Sequence, residues 1–257
     1  MSWHCLERGH GRPLVLLHGI GMSHTAWSPV IERLAEQRRV LAFDIPGFGR
    51  TPPLTGQASL SRLLDGLRDS LAAHGIHEPV AIAGNSMGGW LTLAAARAGL
   101  ASSVAAISPA GLCPSDAVPA HIAPIFDITR WSVRNLPGLS KALLSIAPVR
   151  SLALAVPVSV RGHRIPAEAT SGFVDDMRNA PGFDTTYNLI DEVDGLDAVT
   201  IPMSIAFGRN DWILTGPMRS RSLLPAQARW LEPRGWGHVP MWDDPQGVAD
   251  FILDSTA

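Results

Sequence analysis

A hydroxyl, an imidazole and a carboxylate that could act together stand at three well-separated, glycine-rich points of this 257-residue chain. Ser86 is the centre of Gly84-Asn85-Ser86-Met87-Gly88, with Gly89 following. An apolar run ends at Gly84 and a helix-forming run starts after Ser86, so the segment reads as a sharp strand-to-helix turn. Such a turn strains its central residue and leaves no room for side chains beside it, hence the glycines. It also lifts the serine oxygen to a helix N-terminus, where partial positive charge favours a developing anion. A serine hydroxyl is a poor nucleophile until a base takes its proton. His238, in Gly235-Trp236-Gly237-His238-Val239-Pro240, is the base expected, because its loop lies between the last strand and the final helix. Asp211, in Gly208-Arg209-Asn210-Asp211, follows a strand and is expected to hold the imidazole in the required tautomer. Asp243 and Asp244 lie too close to His238 in sequence to face its ring and are expected to cap the last helix.

Attack on a carbonyl also needs N–H groups aimed at the oxyanion. Met87, after the nucleophile, is expected to supply one. The loop His18-Gly19-Ile20-Gly21 supplies the other, from Ile20 with Gly21 as the alternative, while His18 is expected to hold the loop by a hydrogen bond. No cofactor is implied. H-E-x-x-H and Walker A patterns are absent, neither Gly19-x-Gly21 nor Gly47-x-Gly49 completes G-x-G-x-x-G, and no metal site is expected.

Alternating short strands and amphipathic helices must position these groups. Strands are expected at 13–17, 40–43, 80–83, 103–108, 203–207 and 228–231, and helices at 30–39, 60–74, 87–98 and 245–254. Apolar strands alternating with helices indicate an α/β fold with a mostly parallel sheet covered on both faces. From 112 to 200 the pattern changes to repeated prolines, Pro114 and Pro119 among the first, with helix-compatible pieces. The expected organisation is a core of 1–111 and 201–257 interrupted by a mainly helical cap at 112–200. A formal charge of -2 speaks against a nucleic-acid partner and gives no polybasic patch for an acidic membrane. Two cysteines do not make a disulfide framework. With no apolar h-region near Glu7 and Arg8, and no apolar stretch long enough to span a bilayer, the cytoplasm is the expected compartment.

The motifs LHGIG (17–21), FDIPGFGRT (43–51), GNSMGG (84–89), FGRND (207–211) and GWGHVPMWDDP (235–245) together resemble the α/β-hydrolase superfamily, in the serine branch with a helical cap. The order Ser86, Asp211, His238 matches that fold. Haloalkane dehalogenases and epoxide hydrolases of the fold carry aspartate at the nucleophile position, so their chemistry is not implied. Asn85 resembles the elbow of meta-cleavage-product C–C hydrolases. Val239 departs from them, since they tend to have an aromatic residue after the histidine. Their substrates would require a cap arginine, for which Arg178 and Arg130 are candidates.

The resemblance implies a serine hydrolase that cleaves a small, partly apolar carboxylic ester through an acyl-enzyme. C–C hydrolysis by the same triad is the alternative, and a ligand-binding receptor with little turnover is another of a different class. The cap offers Phe126, Ile128, Trp131, Leu136, Leu139, Leu143, Leu144 and Ile146 to roof a pocket. Asn85, Phe126, Trp131, Trp212 and Val239 are expected to line it, with Trp236 and Trp242 beside the triad. The expected partner is a small molecule, and both a monomer and a homodimer remain open.

Overall fold

The computed structural model describes residues 2–113 and 122–257. Pro114 and Pro119, at the start of the insertion, lie outside the described residues. Among the described residues seven strands form one sheet: β1 (Cys5–Arg8), β2 (Pro13–Leu17), β3 (Arg39–Phe43), β4 (Val80–Asn85), β5 (Ala101–Ile107), β6 (Met203–Ala206) and β7 (Arg229–Leu231). Their spatial order is β1-β3-β2-β4-β5-β6-β7. Only β1 runs antiparallel, pairing Cys5 with Phe43 at the sheet edge. Local pattern does not mark this strand, because four residues, half of them exposed, show no usable periodicity. Pairing with β3 rather than local pattern makes this strand.

The sheet is buried on both faces, and the two-residue side-chain period sorts its residues between two cores. Val15, Leu17, Leu41, Phe43 and Ile82 pack against helices α2 (Leu60–Ala73) and α3 (Met87–Arg97). Leu14, Leu16, Val40, Ala42 and Ala83 pack on the other side against α1 (Ser28–Ala35) and α9 (Pro245–Ser255). In α1, Val30, Ile31 and Leu34 form the buried stripe, as their helical spacing predicts.

Between β5 and β6 the chain forms α4 (Ile122–Asn135), α5 (Pro137–Ser145), α6 (Ala147–Leu154), α7 (Ala167–Arg178) and α8 (Phe183–Tyr187). No strand occurs in this stretch among the described residues. These helices reach the loops at the carboxyl ends of the strands. Val239 N donates to Val158 O at 2.8 Å, Ser23 Oγ to Asp176 at 2.7 Å, and Gly182 N to Gly47 O at 3.0 Å.

Parallel register aligns the strand ends. Leu17 pairs with Gly84, Asn85 with Ile107, and Ile107 with Ala206, so the loops after β2, β4, β5 and β6 open along one edge. The helix after β4 lies so close to β2 that a Cβ on Gly88 would fall onto the Leu17 carbonyl. Gly88→Ala is therefore expected to destabilise the fold by about 1–3 kcal/mol, the usual cost of overpacking. Urea unfolding checks this, and a change within about 0.5 kcal/mol, the range of ordinary surface substitutions, would contradict the packing described.

Candidate active site

Ser86 sits at φ 55°, ψ -116° between β4 and α3, a conformation strained for any L residue. Its N–H donates to Ile107 O at 3.0 Å, and its carbonyl accepts from Trp90 N and Ala110 N. Backbone bonds to the next strand and the next helix thus hold the turn. The side chain is aimed at the loop after β7, where His238 Nε2 lies 2.9 Å from Ser86 Oγ. On its other side, His238 Nδ1 lies 3.0 Å from Asp211 Oδ2. All three residues are buried.

This arrangement determines the tautomer. An ionised carboxylate only accepts, so His238 Nδ1 must carry the proton and donate it to Asp211. Nε2 is then a lone pair, and Ser86 Oγ donates to it. Burial acts to raise the Asp211 pKa, but the His238 charge and hydrogen bond, with the Leu214 N–H, outweigh it and hold the carboxyl below its ordinary value. The other oxygen, Oδ1, accepts from Ile213 N at 2.9 Å and Leu214 N at 3.0 Å, so the carboxylate cannot rotate away.

The loop after β2 lies against the elbow: a Cβ on Gly19 would stand 3.4 Å from Ser86 Cβ. Ile20 and Gly21 line the same cavity as Ser86 and His238. Met87 opens α3, where the first turn of a helix leaves N–H groups without intrahelical partners. His18 ties this loop to the next. Its Nδ1 donates to Gly19 O at 2.8 Å, and Nε2 accepts from Ile45 N at 3.0 Å. Full burial pushes its pKa down to about 4, so it stays neutral in this role.

The cavity over Ser86 measures about 320 Å³, and Phe126 and Val239 line it. Three other residues expected there do not. Trp131 and Trp212 are 60% and 55% exposed, and both lie outside the lining. In α4 the cavity face is Phe126, Thr129 and Val133, at i, i+3 and i+7, which turns Trp131 to the opposite side. Asn85 lies beneath the cavity, fully buried. Its Nδ2 donates to Ile107 O at 3.1 Å and to His238 O at 2.9 Å, bridging the strand before Ser86 to the loop that carries His238. Phe173 and Met177 of α7 line the cavity and were not singled out from the sequence, although their i, i+4 spacing marks one helical face. Trp236 is buried and donates Nε1 to Asp244 at 3.1 Å.

The two aspartates before α9 have different roles. Asp244 caps the helix, accepting from Gly247 N at 3.0 Å. Asp243 does not cap. Fully buried, it accepts from Gly237 N at 2.7 Å through Oδ2, and from Ser159 Oγ at 2.5 Å and Arg161 N at 2.9 Å through Oδ1. It joins the segment between α6 and α7 to the residue before His238.

His4, His24 and Asp44 hold three potential metal-ligand atoms within 4.8 Å of one another. The Asp44 carboxylate is already occupied by His24 N at 2.7 Å, His24 Nδ1 at 2.9 Å and Arg50 N at 2.9 Å, so the cluster is a hydrogen-bonded loop tie.

The model of the alpha/beta hydrolase family matches residues 14–251. This chain belongs to the alpha/beta hydrolase family. It is 38% identical over 89 residues to (E)-2-((N-methylformamido)methylene)succinate hydrolase of Acinetobacter baylyi, covering 35% of this chain and 34% of that protein. The same identity over 89 residues relates it to a pimeloyl-(acyl-carrier protein) methyl ester esterase of Legionella pneumophila. The matched segment thus spans about a third of the length of these curated relatives. A thermophilic esterase from Thermogutta terrifontis shares the fold, with a TM-score of 0.72 at 21% identity over 98% of this chain and 91% of that one. Among the described residues no helix is long and apolar enough to cross a membrane.

Asp44 gives a pH prediction. Burial acts to raise its pKa, but bonds from His24 and Arg50 outweigh this and bring it from 3.8 to about 2. A lowered carboxyl pKa stabilises the fold above the unfolded value and loses that contribution as pH falls toward the folded one. Asp44→Asn should therefore cost about 2 kcal/mol near pH 7, with the deficit shrinking between about pH 4 and pH 2. Denaturant melts across that range check it, and a deficit independent of pH would contradict it.

Proposed function

We propose that the chain is a serine hydrolase that cleaves a small, largely apolar carboxylic ester through an acyl-enzyme. The observation that carries this reading is the two-sided hydrogen bonding of His238, 2.9 Å to Ser86 and 3.0 Å to Asp211, at the floor of a cavity. His238 Nε2 takes the hydroxyl proton as Ser86 Oγ bonds to the ester carbonyl carbon. The carbonyl oxygen becomes an oxyanion that the N–H groups of Met87 and Ile20 receive, with Gly21 the alternative second donor. Collapse expels the alkoxide, which takes the proton from His238. Water, deprotonated by the same nitrogen, then releases the acid and restores Ser86.

Asp211 supports the step by facing the positive charge that His238 acquires. The cavity chemistry supports an ester over a substrate that carries a carboxylate. No lysine or arginine lines it among the described residues. Arg130 is instead paired with Asp184 and stacked 4.1 Å over the Phe183 ring, and Arg178 is exposed. Neither candidate cation reaches the cavity, which weighs against dienoate C–C hydrolysis.

Hydrolysis of p-nitrophenyl esters of increasing acyl length tests this reading. Ser86→Ala is expected to lower kcat by about 10⁴-fold or more while leaving the thermal melt intact. The wild type should show an acyl-length optimum set by the cavity. Turnover that survives the substitution would remove Ser86 from the mechanism.

A further inference from the structure

Nine large apolar side chains are exposed among the described residues, and eight of them lie between residues 128 and 156. They recur at helical spacing on three successive helices. Ile128 and Trp131 share the outer face of α4, Leu139 and Leu143 fall at i and i+4 on α5, and Ile146 follows directly after its end. Leu152, 81% exposed, continues the face on α6. No residue of α5 is buried, so this helix is apolar both toward the cavity and toward solvent. Monomeric proteins rarely expose a contiguous apolar surface of this kind unless something covers it.

Charge indicates what covers it. From the start of α4, residues 122–167 carry six of the chain's 21 lysines and arginines and one of its 23 carboxylates, Asp127. The whole-chain charge of -2 conceals this local excess. Arg130 and Lys141 are paired with Asp184 and Asp175, and Arg150 is buried with its guanidinium on the carbonyls of Leu144, Ser145 and Gly162, which leaves Arg134 and Arg164 exposed. Apolar stripes, an exposed tryptophan and a local excess of cations are what helices lying in an anionic lipid interface require.

The same face borders the cavity. Leu143 and Ala153 line it and are also exposed, so the cavity reaches the surface between α5 and α6. A protein seated there permanently would cover that opening, whereas a fluid lipid surface would feed acyl chains into it. We propose that α4–α6 dock on an anionic phospholipid surface and that the substrate is an ester amphiphile drawn from it. The substrate half of this proposal rests on the serine-hydrolase reading; the docking half does not.

Flotation of the full chain with phosphatidylcholine vesicles, with and without phosphatidylglycerol, tests it. Leu152→Glu and Trp131→Ser alter the face without touching the cavity lining, and p-nitrophenyl acetate turnover monitors the fold and catalysis separately. The wild type and Ser86→Ala should both float with the anionic vesicles, and less so at high salt. Either surface substitution should weaken binding by more than about tenfold with acetate turnover unchanged. Absence of wild-type flotation, or equal flotation of the surface variants, would overturn the docking. So would a dimer in size-exclusion chromatography that Leu152→Glu dissociates, because the face would then belong to a second copy. Docking by a wild type that turns over no ester would support the surface while removing the catalytic reading.

Discussion

The strained turn at Ser86 is the constraint on which the rest of the site depends. A non-glycine residue in that region of backbone space costs on the order of 1–3 kcal/mol and persists only where its surroundings impose it. Here β4 ends in register with β2 and β5, and α3 starts at once against the Leu17 carbonyl. The close approach of α3 brings the loop after β2 against Ser86. Relaxing the turn would separate the hydroxyl, the helix N-terminus and that loop together.

A second set of bonds holds His238. His238 lies on a glycine-rich loop with little intrinsic preference, and buried polar groups restrain it from three sides. Asp211 takes the ring nitrogen, Asn85 the His238 carbonyl, and Asp243 the N–H of Gly237. Asp243 also binds Ser159 and Arg161, and Val239 N bonds Val158 O. The segment between α6 and α7 and the loop carrying His238 are therefore one hydrogen-bonded unit. A shift of the helices over the cavity would be felt at the imidazole, since each of these buried groups is costly to leave unpaired.

The parts of this structure that could be read from sequence are those with short-range signals. Glycine spacing marked the turn at Ser86, and apolar runs marked six of the seven strands. Parallel topology then required the loops carrying Ser86, Asp211 and His238 to share one edge. The cavity was less legible, because size is a poor guide to direction. Trp131 and Trp212 are the bulkier candidates, but helical phase and turn geometry point them to solvent, while Thr129 and Val133 face inward. Asp243 looked like a second helix cap because nothing local distinguishes it from Asp244. Two of its partners, Ser159 and Arg161, lie 84 and 82 residues away, in a segment whose position only the tertiary fold determines. Strand β1 was hidden for the same reason: its pairing with β3 is long-range.

The central claim is that His238, oriented by Asp211, makes Ser86 a nucleophile. Covalent capture tests it most directly. On exposure to a fluorophosphonate, the protein should gain a single phosphonyl group, tandem mass spectrometry should place it on Ser86, and His238→Ala should slow its formation by orders of magnitude. A folded protein that acquires no adduct, or acquires it on another residue, would contradict the account.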